Sequence, residues 1–302
     1  MKILITGATG QVGFELQRQL ALFGEVFAPD RQTLDLADAE SVERWLQRYQ
    51  PELIVNAAAY TAVDKAESEP ELAGRLNVDL PAQLAAYTVD RGQWLVHYSS
   101  DYVYPGTGQA PWEEGSAAAP LSVYGKTKLS GDLAIDESGC SHLIFRTSWV
   151  YGARGHNFMK TMLRLGRERD ALKVVADQVG APTPARLIAQ VTAVALHQTL
   201  PLPAVPQRSP LEPGVYHLAP RGETSWHGFA REIFRLARDA GEPLAITPEQ
   251  VAEISTADYP TPATRPLNSR LSLKKLENAL GIRLPHWKAQ LALTLSEALT
   301  PL

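Results

Sequence analysis

The chain has 302 residues, 45% of them apolar, a formal net charge of -4 and one cysteine, Cys140. That length can bury a large core, as one bilobed unit or two intimate domains. The near-balanced charge gives no field favouring nucleic acid or an acidic membrane surface. A lone thiol cannot close an internal disulfide and fits a reducing compartment, and no apolar run reaches membrane-spanning length. Met1 to Thr6 reads as the start of a strand and not as a charged, apolar and small-residue leader, so a cytoplasmic globular protein without signal peptide is expected.

Short apolar runs then alternate with amphipathic stretches. Lys2–Ile5 predicts a strand, Val12–Leu22 a helix, Val26–Ala28 a strand and Ala39–Arg48 a helix. Leu53–Val55 predicts a strand, Pro81–Asp90 a helix with proline in its first turn, and Trp94–Tyr98 and Leu143–Arg146 two further strands. The alternation argues for parallel βαβ units covered on both faces. Prolines 201, 203, 206, 210 and 213 mark an exposed loop. Val215–Leu218 follows as a strand that returns to the main sheet. Ser225 caps a helix carrying Phe229, Ile233 and Leu236; Pro260, Pro262 and Pro266 mark a second irregular segment, and Trp287–Ala298 is an amphipathic helix. The expected fold is α/β, a Rossmann-like doubly wound parallel sheet with a smaller C-terminal substrate-binding lobe. Residues 1–150 are assigned to the dinucleotide-binding domain and 151–302 mainly to the lobe, interleaved with it through the strand near 215–218.

Gly7, Gly10 and Gly13 form G-x-x-G-x-x-G between the first strand and the first helix, enclosing Gln11 and Val12. Glycine permits the tight turn, lets backbone approach a pyrophosphate seated on the helix N-terminus, and lets the helix pack close to the strand. Asp30 ends the second strand twenty positions after Gly10, where a carboxylate can accept from an adenosine ribose. Arg31 is either a ligand for a ribose 2′-phosphate or a solvated surface charge. The pair leans toward NADPH, with NADH still open. Asp35 and Leu36 are placed to frame an adenine. The small residues after Asn56, Ala57 to Ala59, either let backbone pass beside the cofactor or accommodate a packed helix, and Ala59, Tyr60 and Thr61 are assigned to the cofactor site.

Tyr124 and Lys128 form Tyr-x-x-x-Lys, with i and i+4 on one helix face. A cation beside the phenol is expected to lower its pKa and make it a usable general acid. Ser100, at the end of the Trp94–Tyr98 strand, is placed to donate to a substrate carbonyl as charge develops on its oxygen. The N-terminal glycine motif, the Ser99-Ser100 pair and Tyr-x-x-x-Lys together resemble the extended branch of the short-chain dehydrogenase/reductase superfamily. The segments Gly10-Gln11-Val12-Gly13, Val55 to Ala59, Thr61 to Glu67, His97 to Val103, Tyr124 to Leu129, Arg146 to Tyr151, Asp177 to Thr183 and Tyr259 to Pro266 narrow this. They are similar to dTDP-4-dehydrorhamnose reductases, and the resemblance runs from the first strand to about residue 297.

That resemblance implies an NAD(P)H-dependent reduction of the C4 ketone of dTDP-4-dehydro-β-L-rhamnose to dTDP-L-rhamnose, a cell-surface polysaccharide precursor. It implies Tyr124 as the acid and Lys128 as its partner and ribose ligand. It also implies a hydroxyl at Ser100, where many members have threonine, and substrate contacts at Asp101 and Trp149; read alone, Trp149 is an ordinary core aromatic. Arg265 and Lys160 are the candidates for the substrate diphosphate. A sibling epimerase or dehydratase, a non-catalytic regulatory subunit of the type that partners methionine adenosyltransferase, and an NADP(H) sensor without turnover are the rival readings. Some family members are implied to dimerise around magnesium held by glutamates. The corresponding positions here are Glu15, Glu297 and Arg186, and the arginine removes one carboxylate and adds a positive charge. A monomer or weak homodimer with no metal is expected, with Arg186 pairing with Glu15 or Glu297 instead.

Overall fold

In the computed structural model the described residues are 1–200 and 211–300. Pro201, Pro203, Pro206 and Pro210 of the expected loop lie outside them. Six strands form one sheet: β1 (Lys2–Thr6), β2 (Glu25–Phe27), β3 (Leu53–Asn56), β4 (Trp94–Ser100), β5 (Ser141–Thr147) and β6 (Gly214–His217). Their order is β6-β5-β4-β3-β1-β2, and every pairing is parallel. The chain winds one way from β1 to β2 and the other way from β1 to β3. The switch point therefore lies between β1 and β3, where open α/β sheets bind ligands.

Strand residues alternate between two apolar faces, as a sheet buried on both sides requires. Ile3, Ile5, Val55, Val96, Leu143 and Phe145 pack with Leu16 of α1 (Gln11–Leu20) and Ile188 of a helix at Ala185–Thr199. Leu4, Ile54, Leu95 and Ile144 face the opposite way. There they meet Val42 and Leu46 of α2 (Ala39–Tyr49) and Leu84 of α3 (Leu80–Val89). A separate apolar cluster holds the lobe together. It joins Met159 and Met162 of Phe158–Glu168, Phe229, Ile233 and Phe234 of Trp226–Asp239, and Trp287, Leu291 and Leu295 of Trp287–Leu299. Ser225 caps the helix it precedes by accepting from Gly228 N at 3.0 Å.

The helix that positions the site is α4 (Val123–Glu137), capped by Ser122, which accepts from Gly125 N at 3.2 Å. Two glycines let it press onto backbone. A Cβ at Gly125 would lie 2.3 Å from the Tyr102 carbonyl oxygen, and one at Gly131 would lie 2.0 Å from that of Asn77. Asn77 sits in the π-helical turn Arg75–Asp79 that leads into α3. Gly131→Ala is therefore expected to destabilise the fold by about 1–3 kcal/mol, because rigid backbone must move to admit the methyl group. Thermal denaturation of the variant checks this; an unchanged midpoint would show that the contact is not tight.

Candidate active site

A cleft of about 980 Å³ opens along the C-terminal ends of β1, β3, β4 and β5. At one end the turn after β1 forms a cradle. Gly7 has φ +67°, and a Cβ there would lie 2.6 Å from the Ala57 carbonyl oxygen. A Cβ at Gly13 would lie 2.2 Å from the Gly7 carbonyl oxygen, so Gly13 is buried packing and is not among the lining residues, whereas Gly7, Gly10, Gln11 and Val12 are. Gly10 stands at the N-cap of α1 and no side chain caps that end, which leaves its first N–H groups available to an anion. Asp30, Arg31, Asp35 and Leu36 continue the wall, opposite Ala57, Ala58, Ala59, Tyr60 and Thr61. Asp30 Oδ1 already accepts from Thr33 N at 2.9 Å and Thr33 Oγ1 at 2.8 Å, which holds its carboxyl below its usual range and leaves Oδ2 for a ribose. These donors, glycines and small side chains fit a dinucleotide.

Ser100, Asp101, Tyr124 and Lys128 line the other end. Burial pushes the Tyr124 phenol up, and the Ser100 hydroxyl draws it back. The expected lowering by Lys128 is not found, because burial dominates and the lysine is engaged elsewhere. Its Nζ lies 3.0 Å from His97 Nε2 and donates to the Tyr98 carbonyl at 2.7 Å. The same burial brings Lys128 down to about 8. Ser100 Oγ donates to Asp101 Oδ1 at 3.1 Å and accepts from Tyr102 N at 3.2 Å. Asp101 is 2% exposed and its Oδ2 has no hydrogen-bond partner. Burial raises its carboxyl to about 6, against the weaker pull of the Ser269 and Ser100 hydroxyls.

Trp149 lines the cleft with Trp226, which the sequence reading did not single out. Their rings stack at 3.8 Å and 15°, and Trp226 Nε1 donates to Gln178 Oε1 at 3.1 Å. Tyr102 and Thr147, which also line the cleft, and His97 behind it lay within the segments that carry the resemblance but were not assigned roles. The two diphosphate candidates fall elsewhere. Arg265 is paired with Asp64 at 2.7 Å and donates to Tyr102 Oη at 3.2 Å, while exposed Lys160 donates to the Ala153 carbonyl at 3.3 Å. Neither is among the lining residues, where the lysine and arginine side chains are those of Arg31, Lys65 and Lys128. Away from the cleft, Arg186 bridges Glu15 (3.1 Å from both Nε and Nη2) and Glu297 (2.7 Å), so the substitute pairing expected from the sequence is present. Among the described residues no group of His, Cys, Asp and Glu is arranged to hold a metal, and no helix is long and apolar enough to cross a membrane.

A parallel sheet with a glycine cradle at its switch point, and a Ser, Tyr and Lys set facing it, defines a dinucleotide-dependent oxidoreductase of the short-chain type. The model of the RmlD substrate binding domain matches residues 1–300, and the chain belongs to that family. It is 48% identical to the dTDP-4-dehydrorhamnose reductase of Salmonella typhimurium, over 99% of both chains. To the reductase of the same name from Burkholderia thailandensis it is 46% identical, over 99% of this chain and 100% of that one. The crystal structure of the Bacillus anthracis dTDP-4-dehydrorhamnose reductase in complex with NADP superposes with a TM-score of 0.86, at 32% identity over 98% of this chain and 99% of that one.

The carboxyl of Asp101 offers a test of this geometry. Its folded pKa lies above the unfolded one, so the folded state binds more protons between about 3.8 and 6, and stability falls as pH rises through that window. Asp101→Asn is expected to match the wild-type stability below about pH 4 and to exceed it above about pH 6, by on the order of 1–3 kcal/mol. Thermal melts across that range decide; a pH-independent difference would mean that the carboxylate is solvated.

Proposed function

We propose that the protein reduces the C4 ketone of dTDP-4-dehydro-β-L-rhamnose with NADPH, giving dTDP-L-rhamnose, as a cytoplasmic enzyme. The observation that carries this reading is that Ser100, Tyr124 and Lys128 share one cleft with the glycine cradle, in a chain 48% identical to a reductase of that name. The uncapped N-terminus of α1 holds the pyrophosphate, Asp30 the adenosine ribose, and Arg31 the 2′-phosphate that distinguishes NADPH from NADH. Lys128 holds the nicotinamide ribose. When bound, the cofactor supplies the hydride. Ser100 donates to the C4 oxygen as charge develops there, and Tyr124 delivers its proton to the same atom. A phenol held well above neutrality stays protonated until that moment, which suits an acid. Asp101 and Trp149 contact the sugar. Residues 1–150 supply the cofactor half, and residues 151–302 mainly the sugar half.

A regulatory subunit or a nucleotide sensor has no use for this proton-transfer set. A dehydratase would require a second acid and base beside the tyrosine, and Asp101 is followed by Tyr102. Incubation with NADPH and dTDP-4-dehydro-L-rhamnose, followed by product identification, separates these readings. Tyr124→Phe is expected to lose about 100- to 10,000-fold in kcat while NADPH binding persists; near-wild-type turnover would remove Tyr124 as the acid.

In solution the protein is a monomer or weak homodimer that needs no magnesium. Arg186 already occupies both glutamates, and magnesium requires well-placed oxygen ligands. Light scattering with magnesium and then with EDTA is expected to give one unchanged mass. A dimer that dissociates on chelation contradicts this.

A further inference from the structure

Thr6, Asn56 and His97 occupy consecutive cross-strand positions: Thr6 is opposite Asn56, and Asn56 is opposite His97. They form a polar row across β1, β3 and β4 that ends at Lys128 on α4, and no member is more than 1% exposed. The hydrogen bonds of this row have a direction. The Ala58 backbone N–H can only donate, and it meets Asn56 Oδ1 at 3.3 Å; the Thr6 hydroxyl donates to the same oxygen at 2.6 Å. The Asn56 amide is thereby oriented with Nδ2 toward His97, where it donates to Nδ1 at 3.1 Å. A neutral imidazole that accepts at Nδ1 carries its proton on Nε2. That N–H faces Lys128 Nζ at 3.0 Å. An ammonium has no lone pair with which to receive it, so the lysine accepts as an amine and donates to the Tyr98 carbonyl at 2.7 Å.

We propose that His97 is a positioning residue that holds Lys128 as an uncharged amine in the free protein at mildly alkaline pH, and that Lys128 gains a proton when the cofactor binds there. The first half is a property of the free chain; the second rests on the function proposed above. The groups around the lysine are consistent with this. On its own helix Asp132 favours the ammonium, but Arg146 on β5 pairs with that carboxylate at 3.0 Å. Tyr124 is a protonated phenol. His97 on β4 is kept neutral chiefly by burial, its pKa lying well below the usual imidazole range. The row does not relay protons, because it ends at a buried threonine and passes through an amide. Its effect is on charge: an ammonium cannot keep the His97 contact in this tautomer, so protonation frees Lys128 to turn toward ribose hydroxyls.

Two measurements test this. In ¹⁵N-histidine-labelled free protein at about pH 9, with the resonance assigned through His97→Gln, His97 is expected to show a bare Nδ1 and a protonated Nε2. An Nδ1–H tautomer or an imidazolium overturns the proposal. Calorimetric titration with NADPH at about pH 9, in buffers of different ionisation enthalpy, is expected to show uptake approaching one proton. Lys128→Met should abolish that uptake. His97→Gln should reduce it well below wild type, since an amide oxygen accepts from an ammonium. Absence of uptake in wild type, or full uptake in either variant, overturns it. Failure of NADPH to bind would instead sink the function proposed above, while the tautomer still decides the state of the free protein.

Discussion

Two missing side chains let the turn after β1 lie against backbone on both sides. A Cβ at Gly7 would stand 2.6 Å from the Ala57 carbonyl oxygen, and one at Gly13 would stand 2.2 Å from that of Gly7. Neither contact can be relieved by rotating a side chain, because the opposing atoms are backbone. With both glycines in place, β1, β3 and α1 converge on one point, and the N-terminus of α1 faces the switch point of the sheet. The cleft exists because these three backbones meet. A helix end carrying free N–H groups and a partial positive charge then defines which end of the cleft takes an anion.

The floor of the chemical end is built on a different principle. Asp132 and Arg146 are 2% and 6% exposed, and such charges are tolerated only when paired and hydrogen-bonded. Asp132 Oδ2 takes Arg146 Nε at 3.0 Å and Ser99 Oγ at 2.9 Å. Arg146 Nη1 donates to Tyr104 Oη at 2.9 Å, and that oxygen lies 2.7 Å from His217 Nε2 on β6. The network joins α4, β4, β5 and β6 behind Tyr124 and Lys128. It leaves the ionisable groups facing the cleft without a strong opposite charge. For that reason burial governs them, pushing the phenol and Asp101 toward their neutral acids and the lysine toward its neutral base.

Much of this was legible in the sequence, for identifiable reasons. Strands such as Leu53–Asn56 are short, apolar and bounded by turn residues, and the glycine spacing reports a steric need that few arrangements share. The i, i+4 spacing put Tyr124 and Lys128 on one helix face, and both line the cleft. What spacing could not convey is what holds the lysine. That depends on His97 and Asn56, which are brought beside it by strand register across β3 and β4 and not by proximity in sequence. The pairing of Arg265 was hidden for the same reason. A cation in a proline-rich segment reads as a free ligand until Asp64, some two hundred residues earlier, is found to occupy it. By contrast, the bridge from Arg186 to Glu15 and Glu297 could be expected, because only opposite charge and alignment were needed.

The substrate side shows how the lobe is tied to the sheet. Trp149 follows β5 with φ 48°, a left-handed conformation that costs a bulky residue about 1–3 kcal/mol. One aromatic stack contributes about 0.5–1.5 kcal/mol, which covers only the lower part of that range, and other contacts add to it. The backbone carbonyl of Trp149 also accepts from Thr183 N at 3.2 Å, and the ring packs over Gly180, where a Cβ would lie 3.1 Å from it. Gln178 then fixes Trp226 and is itself held by Thr256 at 3.1 Å. The indole is therefore placed by three separate stretches of the lobe acting on one strained residue at the end of a sheet strand. The wall of the cleft at Trp149 is thus fixed by contacts from residues 178–183, from Trp226 and, through Gln178, from Thr256.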